Sequence, residues 1–269
     1  MIAFASNSLL NRLALGQKTI DAASYTTIRL TAGAIILFLI TNLQKKSNGP
    51  ILRGSWLSAM FLFLYAITFS FAYLSLTTGT GALILFGSVQ VTMIVVALRS
   101  GERPQALEWL GLSLALGGLV YLVFPGLAAP SLLGSALMVT AGIAWGFYSI
   151  RGRGSQNPLA DTAGNFIYAV PMILLIRLLT LGNVHVSANG ILLATLSGAL
   201  SSGVGYMIWY MALCGLTTTR AAIVQLSVPM IAAWSGILLL SESISARLLI
   251  AGVLILGGIG LSVLSREKH

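Results

Sequence analysis

The chain has 269 residues, 57% of them hydrophobic and 8% charged, against roughly a quarter charged in an ordinary soluble domain. That excludes a soluble globule: at about 20 apolar residues per bilayer crossing, a chain of this length holds about ten crossings and no added soluble domain. The net charge of +9 comes from bases scattered between apolar runs, which argues for topology signals and against nucleic acid. The single cysteine, Cys214, excludes an intramolecular disulfide, and no Cys/His cluster suits a metal, so no cofactor is expected.

Apolar runs and their breaks predict ten helices. The first, about 1–15, is too uncharged at its front for a signal peptide and carries Asn7 and Arg12. After Gly16-Gln17-Lys18 comes 22–43, with Arg29 about 5 Å from its centre at 1.5 Å rise per residue. A central arginine costs about 2.5–3.5 kcal/mol even on the lenient insertion scale, so something must compensate. It either binds a substrate carboxylate or phosphate, or it bonds a neighbouring helix's carbonyls or snorkels outward. Beyond the break from Lys45 to Pro50, helix 54–75 carries Phe69 and Tyr73, and helix 80–99 carries Gln90. Glu102, in the break from Ser100 to Pro104, reads as a helix cap, as does Glu242 later in the chain. Helix 105–124 contains Gly117-Gly118. After Pro125 to Pro130, helix 131–150 brings Trp145 and Tyr148. Helix 161–181 follows Arg151-Gly152-Arg153-Gly154 and holds Pro171 and Arg177, the latter near enough to its end to snorkel. Helix 190–211 contains Ser202-Gly203-Val204-Gly205, where it could flex, and Tyr206, Trp209 and Tyr210. Helix 218–240 carries Gln225 and Pro229, and 245–264 carries Gly257-Gly258.

With both termini in the cytoplasm, Lys45, Lys46, Arg53, Arg99, Arg103, Arg151, Arg153, Arg220, Arg266 and Lys268 lie inside. Only Arg12, Lys18 and Arg247 lie outside, an asymmetry that favours an even number of spans. A nine-helix arrangement, with Met1 to Leu15 on the surface, is the rival. The stretch Thr80 to Val123 is echoed by Thr219 to Val263. Ala82-Leu83-Ile84 recurs as Ala221-Ala222-Ile223, Ser88-Val89 as Ser227-Val228, Glu102 as Glu242, and Gly117-Gly118 as Gly257-Gly258; further upstream, Arg12 is matched by Arg153. Five helices is an odd number, so the second copy enters the membrane from the opposite side. The predicted fold class is therefore an all-α integral membrane protein with ten transmembrane helices in two inverted five-helix repeats, residues 1–124 and 131–264.

The run Val228-Pro229-Met230, then Leu238-Leu239-Leu240-Ser241-Glu242, then Ala251 to Gly258, resembles the closing half of an EamA repeat of the drug/metabolite transporter superfamily. Gly101-Glu102-Arg103 and Trp109-Leu110-Gly111 fit the first copy, where Gln90 replaces the proline seen at Pro229. Ala5-Ser6-Asn7, and Asp21 leading to Arg29, resemble the repeat's opening half. The resemblance implies helices 1–4 and 6–9 around a central cavity, helices 5 and 10 outside it, and a bacterial inner-membrane carrier exporting a small metabolite such as an amino acid.

All six acids sit at predicted ends, loops or the tail. Without a mid-membrane carboxylate, neutral, zwitterionic or anionic solutes rank above cationic drugs, and proton-coupled drug efflux becomes the alternative. A coupling acid in a water-filled cavity, Asp21 or Asp161, would reverse that ranking. The candidate substrate-binding residues are Asn7, Arg29, Gln90, Trp145, Tyr206 and Gln225, placed polar groups in apolar walls. Interfacial belts claim Trp56, Trp109, Tyr73 and Tyr210. A membrane-embedded hydrolase lacks a base, since His185 lies in a loop and His269 at the end. The expected partners are a small-molecule substrate and the lipid bilayer, with a homodimer through the glycine pairs of helices 5 and 10 open.

Overall fold

A computed structural model describes residues 1–43, 53–99, 106–123, 129–179, 184–213, 225, 227–243 and 245–266. Among them ten helices follow one another: α1 (Ile2–Gly16), α2 (Ala22–Leu43), α3 (Trp56–Ala72), α4 (Thr78–Arg99), α5 (Ala106–Val123), α6 (Leu132–Gly152), α7 (Pro158–Leu179), α8 (Ala188–Leu213), α9 (Ser227–Leu240) and α10 (Ala246–Arg266). Five of these, α2, α4, α6, α7 and α8, contain stretches long and apolar enough to cross a membrane. The remaining apolar helices with described windows are shorter. Large apolar side chains such as Ile35, Leu175, Trp234, Leu238 and Val253 face outward, the surface a hydrocarbon solvent selects. The predicted spans match these helices to within a few residues at most ends. Residues 218–224 of the ninth, and the breaks holding Glu102 and Lys45, lie outside the described residues.

The helices begin where a short polar side chain stands ready. Ser55 accepts from the Ser58 amide, Ser131 from Gly134, Ser187 from Gly190 and Ser245 from Leu248, at 3.1–3.2 Å. Asp21 accepts from the Ser24 amide at 2.8 Å and Asn157 from that of Ala160 at 3.1 Å. Each cap satisfies an N–H that a helix leaves open, a requirement sharpened where water is scarce. Glu242 corrects the sequence reading in detail. Among the described residues it is Ser245 that caps the helix after it, while both Glu242 oxygens accept from the Thr78 amide at the start of α4, at 3.0 and 2.8 Å.

These contacts sort the helix termini into two ends. At the first, Arg12 near the end of α1 donates to Glu242 and to the Tyr73 carbonyl just beyond α3. There too the Asp21 amide donates to the His185 carbonyl and Ile20 bridges Val186, while Gly134 at the start of α6 lies against Ser75 and Leu76. Bonds from Ser24 and the His185 amide outweigh partial burial and hold the Asp21 carboxyl below its ordinary value. At the second end, Arg151 of α6 donates to Ser58 of α3, Arg53 donates its amide to Ala160 of α7, and Gly152 abuts Tyr210 of α8. Thus α1 finishes where α6 starts, and α3 starts where α8 finishes. Helix partners follow the same rule: α3 against α6 and α1 against α8, α4 against α6 and α1 against α9, α3 against α7 and α2 against α8. The pairs α2–α7, α4–α9 and α5–α10 are their own counterparts. Helix α1 is no surface helix, since Phe4, Asn7, Ser8, Asn11 and Ala14 are buried in this bundle.

Gly118 lies against Leu254 and Ile255, and Gly258 against Gly111 and Ala115, so one glycine of each pair seats α5 on α10. Gly117 and Gly257 meet nothing.

Candidate functional site

Arg29 is 1% exposed, in the first half of α2. Its Nε donates to Ser202 Oγ at 2.9 Å, and one terminal nitrogen donates to the hydroxyls of Tyr65 and Tyr206 at 3.1 and 2.9 Å. The guanidinium also lies 5.3 Å from the Tyr65 ring and 5.2 Å from that of Phe69, each such contact worth about 0.5–2 kcal/mol when desolvated. No carboxylate among the described residues pairs with it, and its second terminal nitrogen has no acceptor. Asn7 stands beside it. Its Nδ2 donates to both tyrosine hydroxyls at 3.2 Å, while its Oδ1 accepts from Ser197 at 2.6 Å and from Asn11 at 3.3 Å. The Tyr206 hydroxyl donates to that of Tyr65 at 2.9 Å.

Two local features bring these groups together. Residues Ser197–Val204 of α8 form a π-helical stretch, a widening common at functional sites, which presents Ser197 to Asn7 and Ser202 to Arg29. The same stretch carries Gly198, where a Cβ would meet the Arg29 backbone, and Gly203, where one would fall 3.4 Å from Gly33. The glycines let α2 and α8 approach closely, and that approach places Arg29 among partners from both halves of the chain.

Next to the polar cluster is a box of rings. Phe4, Tyr65, Phe69, Phe86, Trp145 and Tyr206, with Leu85, line a cavity of about 10 Å³, the room of roughly one water molecule. Trp145 and Tyr206 are 4.5 Å apart, and Phe4 meets Trp145 edge-on at 5.6 Å. Tyr65 and Tyr206 are 141 residues apart in sequence, and so are Phe4 and Trp145. The same offset of 141 separates Arg12 from Arg153.

The chemistry is donor-rich. The arginine fork and the asparagine amide face hydroxyls and a single amide oxygen, and the free Arg29 nitrogen and Trp145 Nε1 are buried without acceptors. An unmade hydrogen bond of this kind costs about 1–3 kcal/mol, so each of these two donors is a place where an added acceptor would be stabilising.

Of the predicted site residues, the structure joins Asn7, Arg29, Trp145 and Tyr206. Gln90 is buried on α4, a turn beyond Phe86, with no acceptor for its Nε2, and it does not line the cavity. Gln225 is buried. Tyr73 and Tyr210 are fully buried, which corrects their assignment to the interfacial belts, whereas Trp56 and Trp109 are exposed as that assignment requires. Tyr65, Ser197 and Ser202 were missed as site residues. The one sequence signal for Tyr65 is its place on a helix face with Phe69 and Tyr73, at a spacing of four.

Comparisons with known proteins agree with this architecture. Residues 132–264 match the EamA-like transporter family. An uncharacterised protein of Pseudomonas aeruginosa is 48% identical over 266 residues, covering 99% of this chain and 92% of that protein. An uncharacterised transporter of Archaeoglobus fulgidus is 27% identical over 231 residues, covering 80% and 78%. A crystal structure with 19% identity superposes with a TM-score of 0.68 over 98% of this chain and 97% of the other, a likeness of fold.

Proposed function

Because this chain belongs to the EamA-like transporter family, we propose that it is a membrane carrier whose central site binds a small carboxylate-bearing metabolite, zwitterionic or anionic, such as an amino acid. The observation that carries this reading is Arg29, a buried cation with no acidic partner among the described residues and with an open donor beside an aromatic box. A substrate carboxylate would supply both the missing charge and the missing acceptor. The box accounts for an apolar or small side chain on the same solute.

The two sets of five helices, running in opposite senses and meeting through counterpart residues, support an inverted repeat that rocks about the site. With about 10 Å³ of space, the box is closed, so solute must enter by movement of the halves. The basic loops support cytoplasmic termini, and the family resemblance a bacterial inner membrane. The second end, where Arg53, Arg151 and Arg153 lie, is then cytoplasmic.

The test is efflux from proteoliposomes loaded with the twenty standard amino acids and small mono- and dicarboxylates, read by mass spectrometry with and without a proton gradient. Selective loss of carboxylate-bearing solutes is expected. Loss confined to cations or to solutes without a carboxylate, or no selective loss at all, overturns the reading.

A further inference from the structure

A second cavity opens at the cytoplasmic end, separate from the central box. Its volume is about 230 Å³, and its walls include Arg53, Ser58, Arg151, Asp161, Asn165 and Tyr210. Two arginines and an aspartate thus line one space, yet neither arginine forms an ion pair with Asp161 among the described residues. Opposite charges that share a cavity without closing on each other are normally drawn together unless their positions are fixed. Arg151 and Asp161 are both fixed. Arg151 donates to Ser58 Oγ at 2.9 Å and to Ser55 Oγ at 3.4 Å, and the Ser55 amide is held by Asn165 Oδ1 at 2.9 Å. Asp161 accepts from Ser155. The frame is tight: a Cβ on either Gly54 or Gly164 would lie 2.5 Å from the other's backbone.

The wall between this cavity and the box is a pair of rings. Tyr148 and Tyr210 stack at 5.3 Å, and the Tyr210 hydroxyl donates to the Tyr148 carbonyl at 3.0 Å. Each lies one helical turn from a ring of the box, Tyr148 from Trp145 and Tyr210 from Tyr206. Trp145 and Tyr148 are 5.4 Å apart, so the ring ladder runs unbroken from one cavity to the other.

We propose that this cavity is a second solute site, an antechamber that holds a zwitterion by its two charges before the Tyr148–Tyr210 pair parts. The carboxylate lies at Arg53 and Arg151 and the ammonium at Asp161. The proposal rests on the carrier reading for its role in transport, and on the cavity alone for binding.

Binding is tested site by site with phenylglyoxal, which modifies arginine, on the purified full chain, read by peptide mass spectrometry at Arg53 and Arg151. The probe is the equimolar mixture of the twenty amino acids, compared with their methyl esters and with sodium chloride at equal ionic strength. Amino acids are expected to slow modification of Arg151 in the native chain and equally in Arg29→Gln, with Arg29→Lys replacing it where that variant does not fold. Asp161→Asn is expected to raise the protecting concentration about tenfold, the size of one lost charge-assisted bond. Protection by esters or salt to the same extent, or its disappearance in both Arg29 variants, overturns the proposal. Protection without amino-acid efflux leaves the site standing and removes the carrier reading instead.

Discussion

Arg29 concentrates the energetic conflict of this molecule in one side chain. A buried cation without an acid partner loses solvation that hydroxyl bonds and ring faces only partly restore, so it lowers stability relative to an apolar residue of similar volume. Arg29→Met is therefore expected to leave the melting temperature in detergent unchanged or raised, because Tyr65, Tyr206 and Asn7 still bond one another. Transport of a carboxylate solute is expected to fall by ten- to a hundredfold, the equivalent of about 1.5–3 kcal/mol for bonds to a charged group. A large drop in melting temperature would show that the arginine is architectural. The conflict was visible in sequence, since a mid-helix arginine demands compensation in any bilayer. Its partners were not, because Ser202 and Tyr65 look like packing and surface residues until the chain is folded. Gln90 and Gln225 stay open for the same reason, a mid-membrane amide being equally suited to a cavity or to a neighbouring helix.

Helix positions were readable from apolar periodicity and punctuation, but the π-helical stretch in α8 was not. The spacing from Gly198 to Ser202 reads as close backbone approach between helices and Ser202 to Gly205 as a place to flex; only tertiary contact with α2 shows the widening that sets Ser197 and Ser202 beside Asn7 and Arg29. Gly198 is the test of that step. A methyl there meets the Arg29 backbone, which has no flexible end to move aside, whereas Gly117 faces open space. Overpacking costs about 1–3 kcal/mol, so Gly198→Ala is expected to lower the melting temperature by several degrees and to impair transport, through displacement of Arg29. Gly117→Ala, with helix propensity improved by up to about 1 kcal/mol, is expected to be neutral or slightly stabilising. Equal melting temperatures for the two variants would show that α2 and α8 have slack at the crossing.

Across the whole molecule the two ends differ. At the first, Arg12 and Glu242 form a part-buried ion pair at 3.3 Å, which joins the first five helices to the second five. Glu242 also holds the start of α4, and Arg12 the carbonyl beyond α3. At the other end the polar cavity opens. In the proposed carrier reading, the ion-paired first end is the closed one and the tight central box lies behind it. The closure is weak enough to reverse. One part-buried ion pair and bonds to charged groups of about 1.5–3 kcal/mol each amount to a bias on a conformational equilibrium that a bound solute can shift. If opening at Arg12 is a step of the cycle, a covalent tie there must stop transport. The pair Arg12→Cys and Glu242→Cys, in a Cys214→Ser background, can be bridged by a bis-methanethiosulfonate whose spacer matches the two side chains it replaces, a span beyond a direct disulfide. Bridging is expected to abolish efflux, and a reductant to restore it to the rate of the unbridged double variant. Unchanged efflux from the bridged protein would mean that this end stays shut throughout, and that solute leaves by a route other than the one closed by Arg12 and Glu242.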